Sequence, residues 1–212
     1  MRPSGTVILS LMILLALSNV SAMQQDAGWV VIKTETGVLL VWNQPQDYFT
    51  LAVKGKEIRP VDSQEHLFLS VDGTIFQVQS VAISDFLKDV AKQKQDEQSI
   101  LNAHKNWEAQ YIESLLGKKL HVEAAPQKLK DEKEALLWSV EQPEGFNHDA
   151  KKQLYLTMVN GDHVLLLNGV VMQNGDESAV RKFLFETLST LKVSATKINV
   201  REVQDALRRA RP

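Results

Sequence analysis

The stretch Gln153–Met172, QLYLTMVNGDHVLLLNGVVM, decides how this chain folds. Asn160-Gly161 supplies residues that tolerate φ > 0, which a tight two-residue hairpin turn needs. Folding there sets Leu154, Leu156 and Met158 on one face beside His163, Leu165 and Leu167. The other face carries Tyr155, Thr157 and Val159 beside Asp162, Val164 and Leu166. Both faces are mostly apolar, as strands are when each side of their sheet is covered. The hairpin Gln153–Asn168 is therefore expected at the centre of a sheet with a helix on each side. Asn168-Gly169 should either end the second strand or bulge it before Val170–Met172.

Downstream of the hairpin, Asn174 with Glu177 reads as an N-cap pair. Val180, Phe183, Leu184, Thr187, Leu188 and Leu191 then form one helical stripe. Upstream, Leu120–Ala124 and Ala135–Val140 (ALLWSV) read as strands separated by the charged turn Lys128–Glu134, and Pro143–Ala150 as a loop. Earlier still, Ser84 reads as the cap of a helical region reaching Leu116, with Gly117 ending it. Its first part would bury Leu87, Val90 and Ala91, and the polar run Lys92–Ser99 buries nothing. The apolar stripe resumes as Ile100, His104, Trp107, Tyr111 and Leu115, rotated by about a quarter turn at ~100° per residue. That rotation predicts a bend or a break near Lys94–Gln98.

The N-terminal part is β-rich. Trp29–Val41 forms a hairpin through Glu35-Thr36-Gly37, and Tyr48–Val53 is a third strand. Gly55 and Pro60 bracket a short charged edge or loop. His66–Val81 forms a second clear hairpin around Asp72-Gly73. Leu67, Leu69, Val71, Phe76 and Val78 make its apolar face. The opposite face, with His66, Phe68, Ser70, Ile75, Gln77 and Gln79, is mixed, so this hairpin should be covered on one side only. The fold class is α+β: an antiparallel β-sheet built from hairpins, flanked by a long central helix, kinked or broken, and by a C-terminal helix.

Residues 1–22 read as a signal peptide. Arg2 gives a small positive start, and Val7–Leu17 is an apolar-rich run shorter than the roughly 20 residues a membrane span requires. Val20-Ser21-Ala22 puts small residues where signal peptidase cleaves, so cleavage is expected after Ala22. A periplasmic or secreted location follows, with no transmembrane segment in the cleaved protein. Residues 23–193 are expected to form a single α+β domain: a β-rich part over 29–83, a helix over 84–117, and a sheet plus helix over 118–193. Residues 194–212 form a basic tail. It is expected to be solvated and unstructured, with a short exposed helix through Val200, Val203 and Leu207 as the alternative.

Without Arg2 the chain carries 23 basic and 26 acidic side chains, a formal charge of −3. That balance predicts no nucleic-acid partner. Cysteine is absent, so stability must come from the core alone. No Asn-x-Ser/Thr sequon follows residue 22, in keeping with a bacterial periplasmic protein.

From Gly117 to Val193 the order of four strands and a helix resembles the Mog1/PsbP-like proteins. The stretches that carry the resemblance are QLYLTMVNGDHVLLL and AVRKFLFETLSTLK, a strand pair leading into a terminal amphipathic helix. That group includes photosystem oxygen-evolving accessory subunits, a Ran-binding protein and bacterial exported proteins. The resemblance implies an accessory or binding protein, and it transfers no functional residue.

Chemistry has few candidates. His104-x-x-x-Glu108 places an imidazole and a carboxylate on one helix face, with Trp107 and Tyr111 beside them. Such a pair can contribute to a metal site or join a base to its orienter. No HExxH, G-x-S-x-G, G-x-G-x-x-G or P-loop accompanies it, so no metal or cofactor is expected. The competing reading packs His104 and Trp107 at the rim of the core. His163 is expected at a hairpin end with its ring half solvated, and His66, His121 and His148 beside the carboxylates Glu65, Glu123 and Asp149. Arg208, Arg209 and Arg211 could touch an anionic partner. The expectation is an exported, non-catalytic accessory or binding protein for an unidentified protein or small ligand, with His104, Trp107, Glu108 and Tyr111 as its candidate binding residues. The alternative is a hydrolase or metal-dependent enzyme working through His104 and Glu108.

Overall fold

Alternation of apolar side chains produces two antiparallel sheets in the computed structural model, which describes residues 28–61, 67–87, 96–130, 132–142 and 149–210. The expected leader 1–22, His66, Val90, Ala91, His148 and Arg211 lie outside the described residues, as does most of the loop placed at Pro143–Ala150. The first three strands are β1 (Trp29–Lys33), β2 (Gly37–Gln44) and β3 (Asp47–Lys54). They are followed by β4 (Ile58–Val61), β5 (Leu67–Val71) and β6 (Thr74–Ala82), then by the short helix α1 (Ile83–Phe86) and the long helix α2 (Glu97–Leu116). Strands β7 (Val122–Lys128), β8 (Glu134–Glu141), β9 (Ala150–Asn160) and β10 (His163–Met172) precede helix α3 (Glu177–Leu188). Strand β11 (Lys192–Ser194) and helix α4 (Val200–Arg209) complete the order.

The seven-stranded sheet runs β4-β5-β6-β10-β9-β8-β7, which puts β10 at its middle. Val164 pairs with Val159 and Leu165 with Met158, the face assignment expected from the alternation. The turn is displaced by one residue. Asn160 pairs with His163 and stays in the strand, so the two turn residues are Gly161 and Asp162, with only Gly161 at positive φ (60°). Strand β10 also runs unbroken through Asn168-Gly169, and its register shifts at Val171/Met172 instead. Gly169 has a packing reason: a Cβ there would come within 2.7 Å of Val180 Cγ1, so its absence lets α3 approach the sheet. At the sheet's two edges, Pro60 in β4 and Pro126 in β7 remove a backbone donor, which discourages further strand pairing.

A first core lies on the face of β10 that carries Leu165 and Leu167. It joins Leu40, Phe49 and Leu51 of β2 and β3 to Leu69, Phe76, Leu156, Leu184 and Leu188. The opening strands thus form a separate four-stranded sheet, order β1-β2-β3-β11, rather than an extension of a single one. β11, which straddles the boundary expected between domain and tail at Val193/Ser194, closes it by pairing Val193 with Phe49. Asn43 exchanges two hydrogen bonds with the Ile198 backbone (3.0 and 2.9 Å), anchoring the chain just before α4. The tail is therefore tied down and helical over Val200–Arg209, not unstructured.

Among the described residues, the helical region expected from Ser84 holds the separate helices α1 and α2. Ala82, not Ser84, precedes α1, and Leu87 is already extended. α2 starts afresh at Glu97 with Asp96 as its N-cap, accepting from the Ser99 backbone N–H at 2.8 Å. Asp96, extended, lies within the stretch Lys94–Gln98 where the rotated stripe predicts a bend or a break, whereas residues 88–95 lie outside the described residues. Gly117 ends α2 in the left-handed conformation, as expected. The N-cap of α3 is Asp176 rather than Asn174, and its carboxylate accepts from the Ser178 N–H. On the second hairpin, Gln77 is buried, so the mixed face is not open along its whole length.

Candidate functional site

The inward face of α2 differs from the expected stripe. Helical spacing turns Ile100, Leu101, His104, Glu108 and Ala109 into the protein, leaves Trp107 and Tyr111 half-buried, and exposes Leu115. This face lies on β8 and β9, where Leu136, Trp138, Tyr155, Val164 and Leu166 form a second core. Two ionisable side chains consequently enter an apolar layer. His104 is 0% exposed and Glu108 1%.

His104 Nε2 stands 3.7 Å from Glu108 Oε1, too far for a hydrogen bond. Both His104 nitrogens and Glu108 Oε1 are buried without a hydrogen-bond partner among the described residues, and so is Trp138 Nε1. An aromatic wall surrounds the imidazole. Phe86 of α1 meets it edge-on at 5.2 Å between ring centroids, and Trp107 lies at 6.1 Å. On the sheet, Trp138 stacks on Tyr155 at 3.8 Å with 7° between the planes. The Tyr155 hydroxyl donates to Gln153 Oε1 (2.8 Å), and Thr157 Oγ1 donates to the Leu136 carbonyl (3.2 Å).

Burial opposes charge on both members of the pair. It pushes the Glu108 carboxyl up to about 8 and holds the His104 imidazole down to about 3. Burial also raises Tyr155, with the Glu108 carboxylate adding to the effect, and Tyr111 is raised for the same two reasons. Near neutral pH the pair is therefore a carboxylic acid facing a neutral imidazole.

The four residues singled out from the sequence do come together, in two layers. His104 and Glu108 are sealed beneath α2, and Trp107 and Tyr111 sit at its margin. Among the described residues, no group of three His, Cys, Asp or Glu side chains is arranged to hold a metal ion. A cavity of about 320 Å³ shares no lining residue with the pair. Lys54, Asp72, Thr74, Val170, Asp176 and Phe183 are among the residues around it. His163 is half-buried at the hairpin end, and His121 pairs with Glu123 at 3.6 Å on the surface. Sequence reasoning missed Phe86, Trp138 and Tyr155 as the walls of the layer. The signal was present in Tyr155, which alternation places on the same face as Leu166.

Lys152 was not anticipated either. It reaches Glu123 of β7 (3.5 Å) and Glu177 of α3 (3.4 Å), joining three elements through one half-buried ammonium.

No protein-family model matches the chain, and no curated protein matches it. Among solved structures, the chain is similar to the solution structure of cyanobacterial PsbP (CyanoP) from Synechocystis sp. PCC 6803. The TM-score is 0.41 and the identity 11%, over 82% of this chain and 98% of that one. At these values the likeness carries no ligand, partner or activity across to this chain.

Proposed function

We propose that this is an exported, non-catalytic accessory or binding protein. The observation that carries the reading is the enclosure of His104 and Glu108. General acid–base chemistry requires the proton-transferring atom within hydrogen-bond reach of a substrate. Here both groups are held uncharged behind an aromatic wall, and no polar side chain from another described element is hydrogen-bonded to either. Trp107 and Tyr111, half-buried at the margin of α2, are the surface at which a protein or small ligand would make contact. Arg208 and Arg209, exposed at the end of α4, offer a second contact for an anionic partner. Export rests on the leader-like residues 1–22. Among the described residues no helix is long and apolar enough to cross a membrane.

The test is a panel of ester, phosphate, glycoside and peptide substrates offered to the exported protein and to Glu108→Gln. The expected result is turnover by neither. Hydrolysis by the parent that disappears in a folded Glu108→Gln protein overturns the reading. Mass spectrometry of the same exported material should place its N-terminus within a residue or two of Met23, and an intact Met1 would remove the export argument.

A further inference from the structure

α2 carries His104 and Glu108 into a layer that leaves both His104 nitrogens and Glu108 Oε1 without a hydrogen-bond partner among the described residues. Among the described residues, few other polar contacts hold the helix. Gln98 Nε2 donates to the Ala135 carbonyl at 3.2 Å near one end. At the other end, Glu113 binds the Leu120 N–H and Lys119, both in the segment leading to β7. Leu87, extended, breaks the helix connection on the side of α1. Between these points α2 is seated by apolar contact, and the two ionisable groups lie within that contact.

We propose that α2 is a protonation-gated cover on the seven-stranded sheet. It stays seated while His104 and Glu108 are both uncharged. Loss of the Glu108 proton lifts it and uncovers Trp138, Tyr155 and Leu166.

The physical reason is that an ionised carboxylate in this layer has lost its hydration with nothing in exchange. Among the described residues, no lysine or arginine forms an ion pair with Glu108. On α2 the neighbours are Tyr111 and the half-buried Lys105, which adjoins His104 in sequence. β9 turns Tyr155 and Thr157 toward the helix, and β8 turns Leu136, Trp138 and Val140, with Glu134 and Glu141 at its two ends. α1 contributes the Phe86 ring, and its one charged residue, Asp85, is exposed. Among the described residues, His104 is the basic group paired with Glu108, and the same burial opposes its protonation. Raised to about 8, Glu108 would lose its proton just above neutrality, whereas His104, held near 3, leaves the mildly acidic range quiet.

Hydrogen exchange of the full chain at pH 6.5 and pH 9, expressed as protection factors to remove the intrinsic effect of pH, tests this. Amides of Leu101–Ile112 in the parent should lose at least tenfold protection at pH 9, with β9 and β10 unchanged. Glu108→Gln, which cannot ionise, should keep α2 protected at both values. Glu108→Met, of similar length and apolar, gives the same readout if the amide perturbs folding. The proposal is overturned if either folded variant loosens as the parent does, if α2 keeps its protection at pH 9, or if α2 and the central strands lose protection together.

Discussion

At the scale of single residues, Glu108 is the unusual feature, since a glutamate is seldom fully buried without a partner. The His104–Glu108 spacing was legible in the sequence; its burial was not. Apolar weighting favours a stripe through Trp107, Tyr111 and Leu115, whereas the helix turns Leu101, His104 and Glu108 inward. Trp138 and Tyr155 supply the surface that makes this rotation favourable, and that contact spans elements far apart in sequence. The pair should also shape stability against pH. Glu108 is raised from its ordinary 4.5 to about 8, so its contribution is full below about 4.5 and is lost as pH rises toward 8. His104 is lowered from 6.5 to about 3, so its contribution is full above about 6.5 and is lost as pH falls toward 3. The two slopes oppose each other in between. Urea unfolding at a series of pH values should therefore show a plateau between about 4.5 and 6.5, with falling limbs on both sides. Glu108→Gln should flatten the limb between about 6.5 and 8 and, with the opposing slope gone, extend the acid limb up to about 6.5.

At the scale of elements, the central hairpin was readable because alternation marked both of its faces as apolar. The turn moved by one residue because Gly161 alone needs positive φ, which leaves Asn160 free to pair with His163. Helix starts were less legible. Asn174 and Asp176 are both good capping residues, and only the backbone path decides which accepts the first free N–H. The hairpin makes a concrete prediction. Leu166 is 1% exposed and belongs to the second core, so Leu166→Asp puts a carboxylate into a layer already burdened by Glu108. The loss should be several kcal/mol, enough to threaten a domain stable by roughly 5–15 kcal/mol. Phe68 is half-buried on that same side of β5, away from the first core. Phe68→Asp should therefore cost only about 1–2 kcal/mol. Urea unfolding of both variants beside the parent checks this, and equal losses would mean that the buried hairpin has been misidentified.

At the scale of the whole molecule, α+β organisation with a helix on each side of the large sheet follows from hairpins and stripes. The division into two sheets does not. β11 is three residues long, and no local pattern in Lys192–Ser194 says that it pairs with Tyr48–Thr50. That pairing and the Asn43–Ile198 bonds turn an apparent tail into the closing edge of the smaller sheet. The resulting molecule surrounds its buried His104–Glu108 pair with aromatic side chains from α1, α2, β8 and β9, and this enclosure is the basis for reading it as a binding protein rather than an enzyme. NMR titration of the full chain, following the His104 ring nitrogens and the Glu108 side-chain carboxyl carbon, tests that enclosure most directly. The account predicts a neutral imidazole from pH 5 upward and a carboxyl that titrates near 8. An imidazolium at pH 6.5, or a Glu108 carboxyl titrating near the ordinary 4.5, would contradict it.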